Sequence, residues 1–340
     1  MHRLIDDICV FLESNGFDCS RQIRHGHDVI CTKTLGGKHE RLILPLEIKD
    51  RTLEEASHTS EETYEAIRMI RSKEGYPLII TEDRWKRQRE MMEARLLAHL
   101  ELFSQAYARN CEIKRIEKAE AQEFLDKYHS YGDAACKYRY GLFLKRHTGH
   151  IAAEMRFPIG PRMTERETGM TERETGTTEG KLIAVATFSN ARKWIKDGKE
   201  IRSYEWTRYA SLPDLRVSGG MGKLLKAFIK EVQPDDIMSY ADLEWSEGEV
   251  YERLGFKAEM QKEPVAFAID PQSWERMAIR RSLDKLGMTD NKLGMTDNKL
   301  GMTKDGSGMT KGDVIPGSTG NLFFQNFGSR KYRLKLTEYR

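Results

Sequence analysis

Short apolar runs and amphipathic stretches alternate along the first hundred residues. Apolar side chains recur at helical spacing over residues 4–12, and this pattern ends at Asn15-Gly16, a pair that favours a helix stop. Alternating and β-branched runs bounded by turn residues predict strands. The predicted order is α-β-β-β-α-β-α: a helix over 4–12, strands over 19–23, 27–32 and 41–49, a helix capped by Thr59 with Glu62 in capping-box register, a strand over 77–81 and a long helix over about 84–103.

A second succession of patterns runs through residues 203–256. An aromatic and β-branched stretch predicts a strand over 203–213, a glycine cluster predicts a turn, and apolar residues at helical spacing predict a helix after it. A further strand is predicted over 236–242. A short helix follows, with Ser246 as its cap and Gly255 as its stop.

The glycine cluster consists of Gly219, Gly220 and Gly222. Glycine has no Cβ, so the backbone at these positions can approach a ligand closely. The N–H groups of a first helical turn have no partner within the helix and attract anions, and a pyrophosphate would fit there. A helix with a flexible glycine entry and no ligand is the alternative interpretation of the same residues.

The order strand, glycine turn, helix, strand and short helix resembles the GNAT acyltransferase superfamily, over roughly residues 113–270. It is most similar to a subgroup from phages and gut bacteria with the pattern Tyr-Ala-Asp-x-x-Trp-Ser-x-Gly-x-x-Tyr-x-x-Leu-Gly-Phe, here Tyr240 to Phe256. In this family the glycine turn holds the CoA pyrophosphate, the two strands separate to admit the pantetheine, and a tyrosine of the last helix protonates the departing thiolate. The resemblance implies acetyl-CoA as the donor and Tyr251 as the acid. The implied CoA-binding turn consists of Val217, Ser218, Gly219, Gly220, Met221, Gly222 and Lys223.

Acyl transfer to an amine needs a base that takes a proton from the attacking ammonium. Glu205 lies on the first strand, where members of the family often place that base; its alternative role is an exposed carboxylate paired with Arg202 or Arg208. Asp242 ends the second strand and is the other candidate; its alternative role is to cap the loop that follows. For Tyr251, the alternative role is that of a packed helical aromatic.

The order of the first hundred residues resembles the core of the PD-(D/E)XK nuclease superfamily. That family chelates Mg²⁺ with an acid on its second strand and with the Glu of a Glu-x-Lys on its third, and the matching positions are Asp28, Glu47 and Lys49. Two carboxylates on adjacent strands can share a hard cation, and a lysine one alternation along points to the same face. A degenerate or unrelated α/β domain with a solvated charged strand end is the alternative. The basic stretch 84–89 could contact a phosphate backbone, although such a run is more often a solvated helix face.

These patterns predict an α/β (α+β) chain of two domains. Residues 1–105 would form a restriction-endonuclease-like α-β-β-β-α-β-α sandwich, and residues 106–283 plus 321–340 a GNAT-like mixed sheet with flanking helices. Tandem repeats at 157–180 and 284–320 lack the apolar content to order themselves and are predicted to be disordered insertions.

The tail after the second repeat has a strand pattern of its own. Tyr332, Leu334 and Leu336 alternate with three basic residues, which predicts a half-buried strand. We expect this strand to return to the acyltransferase sheet, with its basic face toward an acidic partner.

The composition limits the number of domains and the cellular location that we expect. At 340 residues with 39% hydrophobic residues, the chain is long enough for two domains of ordinary size. The 5 cysteines are odd in number and lack C-x-x-C spacing, which predicts reduced thiols and no zinc site. No apolar run approaches the ~18 residues that a bilayer span needs, and the N-terminal residues lack a signal-peptide profile, so we expect a cytoplasmic protein without a membrane partner. A net charge of +3 does not by itself argue for nucleic acid.

Two functions from different classes follow from these observations. The first is a GNAT-type N-acyltransferase that uses acetyl-CoA on an unknown amine or nucleobase, fused to a nuclease-like domain that could recruit nucleic acid. The alternative is a Mg²⁺-dependent nuclease or DNA-binding protein with a non-catalytic GNAT-like module. A CoA-binding protein with neither activity is the third interpretation. The resemblance alone indicates that a chain with these two domains comes from a bacterium or a phage.

Overall fold

The computed structural model describes residues 3–34, 36–145, 180–279 and 320–337. Within these ranges the chain is a mixed α/β protein with seven α-helices and several sheets. None of these helices has the length and apolar composition that a membrane crossing requires. Apart from their last residues, the repeats predicted at 157–180 and 284–320 lie outside the described residues.

The first sheet has four strands whose order in space follows their order along the chain. Its elements are α1 (Leu4–Ser14), β1 (Ser20–Arg24), β2 (His27–Lys33), β3 (Glu40–Leu46), α2 (Leu53–Glu74) and β4 (Leu78–Thr81). β1, β2 and β3 are antiparallel neighbours, whereas β3 and β4 are parallel. A parallel pair needs a crossover connection, which α2 supplies. The predicted order α-β-β-β-α-β is confirmed.

Helix α2 begins earlier than the cap predicted at Thr59. Its N-cap is Thr52, whose hydroxyl accepts from the Glu55 N–H at 3.1 Å while the Glu55 carboxylate accepts from the Thr52 N–H at 3.2 Å. Residues 52–55 and 59–62 both have the Thr-x-x-Glu spacing of a capping box, so the sequence pattern alone did not separate them. The Thr59 hydroxyl instead donates to the Asp50 carboxylate at 3.2 Å.

The long helix predicted over 84–103 is two helices, α3 (Glu82–Arg87) and α4 (Arg89–His99), which meet at Gln88. Trp85 of α3 and Leu96 of α4 enter one core with α1 and the sheet. Their separation of eleven residues is about three helical turns, so the apolar pattern is the same with or without the break and did not indicate it.

The basic stretch 84–89 does not form a continuous basic face. Arg84 and Trp85 are buried. Lys86, Arg87 and Arg89 pair with acidic residues of this chain, namely Asp7, Glu275 and Glu93. The cationic side chains of this stretch are therefore either buried or paired within the chain.

The second sheet has eight strands and is flanked by helices. The elements of this part are β5 (Ser104–Tyr107), β6 (Cys111–Arg115), α5 (Lys118–Tyr128), β7 (Tyr138–Leu144), β8 (Lys181–Phe188), β9 (Arg192–Lys196), β10 (Lys199–Ser211), β11 (Leu215–Ser218), α6 (Gly220–Val232), β12 (Asp236–Asp242), α7 (Glu249–Arg253), β13 (Lys257–Lys262), β14 (Ala266–Ile269), β15 (Arg276–Ala278), β16 (Leu322–Gln325) and β17 (Ser329–Lys335). The strand order is β13-β17-β12-β10-β8-β7-β6, with β9 also paired to β10. The predicted strand over 236–242 coincides with β12. β5 and β11 form a small parallel sheet, and β15-β14-β16 form a third.

The tail strand enters this sheet as predicted. β17 lies between β12 and β13 and is antiparallel to both. Tyr332 is fully buried, and Leu334 packs on the same core. The expected basic face is largely satisfied within the sheet, because Arg333 pairs with Asp236 at 2.6 Å and Lys331 pairs with Glu259 at 2.8 Å. The acidic partner of these two residues is therefore the chain itself.

The two faces of the second sheet are covered by different helices. α6 packs Leu224 and Phe228 on Trp206 and its neighbours. α5 packs Leu125 on Val185 from the opposite side. We refer to these as the α6 face and the α5 face.

The two predicted domains share buried contacts. Leu243 and Phe327, from the second part, pack with Val29 and Ile79 of the first sheet. Trp245 packs against the core formed by α1, α3 and α4. The predicted boundary at residue 105 thus separates two sheets that share parts of their cores.

A buried ionic cluster lies in this joint. Glu244, whose side chain is 2% exposed, accepts from Arg84 at 2.7 Å and from Arg276 at 2.8 Å. Arg276 also pairs with Asp83, and the Thr81 hydroxyl lies 3.2 Å from the Glu244 carboxylate. Since α3 carries Asp83 and Arg84, it is bound to the loop that follows β12.

Candidate active site

The parallel strands β10 and β12 stay paired over only three positions. Glu205 and Met238 form the last pair. Beyond this pair, β10 pairs with β8, whereas β12 pairs with β17. In the described chain, no backbone pair joins β10 to β12 after Glu205 and Met238. A register shift between Trp206 and Arg208 marks a bulge at this point, and bulges bend the strand that carries them. The sheet therefore opens at Glu205, and we call this opening the gap.

Helix α6 begins beside the gap with a left-handed residue. Its N-cap, Gly219, has φ 76°, a conformation that strongly favours glycine. A Cβ at Gly220 would lie 3.0 Å from the Val217 side chain, which would have to shift by a few tenths of an ångström to admit it. At Gly222 a Cβ would lie 3.3 Å from Leu254, just after α7. The first turn of α6 thus lies against the end of α7.

The side chains of the predicted CoA-binding turn are mostly engaged elsewhere. Lys223 donates to the carbonyl oxygens of Ala108 and Cys111 at 2.8 and 2.6 Å. The Ser218 hydroxyl accepts from Gln105 at 3.0 Å. An anion at this turn would therefore be held by the backbone N–H groups at the start of α6.

Tyr251 reaches the start of the gap from the α6 face. Its ring stacks on Tyr332 with centroids 5.3 Å apart and meets Trp206 edge-on at 6.3 Å. Its hydroxyl lies 2.9 Å from the Ser239 hydroxyl, which is 3.0 Å from the Trp206 carbonyl oxygen. Because a carbonyl only accepts, Tyr251 can donate to Ser239 when Ser239 donates to Trp206. Burial raises the pKa of Tyr251, so the hydroxyl keeps its proton at neutral pH.

The helix that carries Tyr251 starts later than the cap predicted at Ser246. The N-cap of α7 is Gly248 with φ 88°. A Cβ there would lie 2.4 Å from the Tyr332 ring, so a contact with the distant strand β17 decides the start. The predicted stop is confirmed, because Gly255 has φ 90° and the Phe256 N–H donates back to the Tyr251 carbonyl.

Glu205 lies on the α5 face at the closed end of the gap. Its carboxylate pairs with Arg192 at 3.2 Å and is 17% exposed. The predicted alternative partners contact other groups: Arg202 donates to the Gln233 carbonyl and Arg208 to the Gly132 carbonyl. A partly buried carboxylate beside an open sheet edge can accept a proton from a group in the gap.

Asp242 lies on the same face at the open end of β12, because residues two apart on a strand share a face. The Tyr131 hydroxyl donates to it at 2.6 Å, and the Glu244 N–H donates to it at 3.0 Å. The predicted loop-capping role is therefore confirmed. Burial and the nearby Glu244 carboxylate raise the pKa of Asp242, which makes it a stronger base.

The candidate residues thus divide between the two faces of the sheet. Tyr251 and the start of α6 lie on one face, and Glu205 and Asp242 on the other. Sequence reasoning missed Ser239, Tyr131 and Arg192, whose roles depend on contacts between distant segments.

The residues of the predicted metal site line a separate cleft of about 220 Å³. Asp28 and Glu47 both pair with Arg3, and Lys49 pairs with Glu47. Burial favours a higher pKa for Glu47, but Lys49 and Arg3 outweigh it and hold the pKa below its ordinary value. Glu47 and Lys49 follow β3, which ends at Leu46, and do not lie on the strand as predicted. Within the described ranges, no three His, Cys, Asp or Glu side chains are grouped to hold a metal ion.

Comparisons with known proteins add no family assignment. The sequence matches no protein-family model and no curated protein.

Proposed function

We propose that the chain is an acyltransferase that transfers an acetyl group from acetyl-CoA to an amine. The observation that supports this most is the parallel ladder that opens after Glu205 beside the glycine-led start of α6. It matches the arrangement that the GNAT resemblance implies, in which two strands separate to admit the pantetheine.

The donor would lie on the α6 face and enter the gap. The pyrophosphate would be held by the backbone N–H groups at the start of α6, since the Lys223 side chain contacts carbonyl groups elsewhere. The facing edges of β10 and β12 carry backbone groups that do not pair with each other, and an extended chain bearing amides can add to such edges.

Acetyl-CoA supplies a thioester whose carbonyl carbon accepts the amine. Glu205, or alternatively Asp242, takes one proton from the attacking ammonium and passes it to solvent. The amine nitrogen then bonds to the carbonyl carbon, and the carbon–sulfur bond breaks. Tyr251 gives its proton to the departing sulfur and is reprotonated by the second proton that leaves the new amide nitrogen.

Calorimetric titration with acetyl-CoA tests the donor half of the proposal. The Gly222→Glu variant places a carboxylate at the start of α6, and we expect at least a tenfold weaker affinity because the carboxylate repels the pyrophosphate. Gly222 is preferred to Gly220, because a side chain at Gly220 would clash with Val217 and threaten folding. The exposed Lys226→Gln variant on the same helix makes the same change in charge and should bind as the wild type does.

A thermal melt must show that Gly222→Glu is folded. Absence of binding by the wild-type chain at millimolar acetyl-CoA would overturn the proposal. Equal affinity in Gly222→Glu would remove the start of α6 from the donor site.

A Mg²⁺-dependent nuclease remains the second candidate, because Asp28 and Glu47 converge on a single cationic group, the Arg3 guanidinium. A divalent cation in place of Arg3 would meet two carboxylates, with Lys49 beside them. We expect Mg²⁺-dependent cleavage of DNA by the wild type, lost in Asp28→Asn and Lys49→Ala and kept in the exposed Glu40→Gln control. Cleavage that survives Asp28→Asn, or that needs no metal, would contradict this assignment.

A further inference from the structure

The small parallel sheet of β5 and β11 leads directly into the proposed donor site. β11 ends at Ser218, and α6 begins two residues later at Gly220. Ser218 lies beside Tyr107, the last residue of β5. Because the two strands are parallel and in register, they end together, and the segment that follows β5 comes next to the glycine turn.

A single 3₁₀ turn, Ala108–Asn110, follows β5 and lies against the start of α6. A Cβ at Gly219 would lie 3.5 Å from the Ala108 Cβ. Lys223, in the first turn of α6, donates to the carbonyl oxygens of Ala108 and Cys111 at 2.8 and 2.6 Å. Its ammonium therefore fixes both ends of the 3₁₀ turn beside the proposed pyrophosphate site.

The 3₁₀ turn carries an exposed arginine, Arg109. Its guanidinium lies over the Tyr107 ring, 4.7 Å from the centroid. This cation–π contact restrains the side chain, while the N–H groups at the rim of the guanidinium can still donate. Residues 104–110 and 215–218 contain no Asp or Glu, and Arg109 forms no ion pair within the described ranges. A cation thus lies beside the start of α6 without a compensating carboxylate.

A second exposed arginine lies at the other end of the small sheet. Arg216 of β11 pairs with Gln105, and its guanidinium is 5.3 Å from the centroid of the Phe103 ring, just before β5. β5 runs from there toward Tyr107, so the Arg216 side chain is directed away from the start of α6. The two arginines have the same charge and the same kind of ring contact, but only Arg109 lies next to the proposed donor site.

The proposed donor carries a second anionic group close to its pyrophosphate. In CoA, one ribose bears the diphosphate on its 5′ oxygen and a phosphomonoester on its 3′ oxygen. A pyrophosphate at the start of α6 therefore keeps the 3′-phosphate within one sugar of the glycine turn. A phosphomonoester carries a charge of about −1.5 to −2 at neutral pH, and the parallel N–H groups of a guanidinium match the geometry of phosphate oxygens.

We infer that Arg109 binds the 3′-phosphate of the donor and makes the chain selective for CoA over 3′-dephospho-CoA. The inference rests on the proposed acyltransferase function, because that function brings CoA to the start of α6. Arg109 would supply the side-chain cation at the glycine turn that Lys223, engaged with two carbonyl groups, does not supply.

Calorimetric titrations with CoA and with 3′-dephospho-CoA test this inference. We expect the wild type to bind CoA about tenfold more tightly, since hydrogen bonds from a guanidinium to a phosphate contribute at least that factor. Arg109→Gln should abolish the preference: its affinity for CoA should fall about tenfold, and its affinity for 3′-dephospho-CoA should stay within about twofold of the wild type. A thermal melt must show that the variant is folded.

Arg216→Gln is the matched control. It removes the same charge from an exposed position of the same small sheet, and its preference for CoA should stay within about twofold of that of the wild type, because exposed charges at a distance are screened. Equal affinities of the wild type for the two ligands, a preference that survives Arg109→Gln, or an equal loss in Arg216→Gln would overturn the inference.

The same titrations separate this inference from the proposed function. Binding of both ligands without a preference would remove the 3′-phosphate site and leave the acyltransferase in place. A preference that depends on Arg109, in a chain that shows no acyl transfer, would keep the 3′-phosphate site and remove the activity. A wild-type chain that binds neither ligand would overturn both.

Discussion

The Glu244→Gln variant is expected to lose about 3–5 kcal/mol of unfolding free energy. Glu244 is the shared partner of Arg84 and Arg276, whose side chains are 5% and 11% exposed. Removing its charge leaves two buried guanidinium groups undercompensated, and the cost of burying a charge without a partner exceeds that of an ordinary lost contact. Urea unfolding measures the effect.

The control for this substitution is Glu249→Gln. Glu249 forms an exposed pair with Arg253 one helical turn away, at 72% and 74% exposure, and such pairs contribute little. We expect a change below about 0.5 kcal/mol. A loss below about 1 kcal/mol in Glu244→Gln would contradict the importance of the buried cluster for stability.

The free energy of unfolding, measured as a function of pH, gives an independent comparison of Glu244→Gln with the wild type. Burial acts to raise the pKa of Glu244, but Arg276 and Arg84 outweigh it and hold the pKa well below its usual range. A carboxyl group whose folded pKa is depressed contributes stability above its unfolded pKa of about 4.3, and this contribution is lost as the pH falls toward the folded pKa. The wild type should therefore lose more stability than Glu244→Gln below about pH 4.3. Asp242 acts in the opposite direction because its pKa is raised. Burial has this effect in both proteins, whereas the part that comes from the Glu244 carboxylate is lost in the variant and offsets some of the expected difference.

The second large effect is expected in the rate of acyl transfer. Glu205→Gln should lower kcat by about 10²–10⁴-fold, the range for loss of a positioned general base. The KM for acetyl-CoA should change little, because Glu205 lies on the α5 face and the proposed pyrophosphate site on the α6 face. The readout is release of free CoA thiol with a panel of primary amines and single-stranded RNA.

Asp242→Asn and Tyr251→Phe complete this test. The two carboxylates occupy opposite ends of one face of the gap, so a larger loss in Asp242→Asn than in Glu205→Gln would move the base to Asp242. Tyr251→Phe keeps the stacking on Tyr332 and removes only the hydroxyl near Ser239. If its kcat equals that of the wild type, Tyr251 is a packing residue and not the acid.

Local patterns predicted all four strands of the first sheet and three of the eight strands of the second, namely β10, β12 and β17. β12 lies over the predicted residues, and α6 begins at the predicted glycine turn. These elements have strong periodicity and unambiguous boundaries, since Gly219 needs a positive φ and Asp236 follows a turn. The misplaced boundaries have no such local signal. α7 starts after Gly248, whose positive φ and close approach to Tyr332 the local pattern did not indicate, and nothing in the local pattern marked the break at Gln88.

The candidate site could be predicted in its residue types but not in its arrangement. Glu205, Asp242 and Tyr251 were recognisable from motif and strand position. The shared face of Glu205 and Asp242 depends on the parallel register of β10 and β12, and the separation of these strands beyond Glu205 accompanies the bulge after Trp206. Both features involve strands about thirty residues apart. The partners Ser239 and Tyr131 carry no sequence signal that distinguishes them from other polar strand and loop residues.

What the sequence by itself determined is the strands of the first sheet, the glycine turn and the basic alternation of the tail. These are local properties, because periodicity, capping and backbone conformation act over a few residues. Only the tertiary structure decided which charged side chains form ion pairs. It placed Lys331 and Arg333 against acidic residues of the same sheet, and aligned Arg192 with Glu205. Strand register and the order of strands in the sheet determine these ion pairs, and both depend on contacts between segments far apart in the chain.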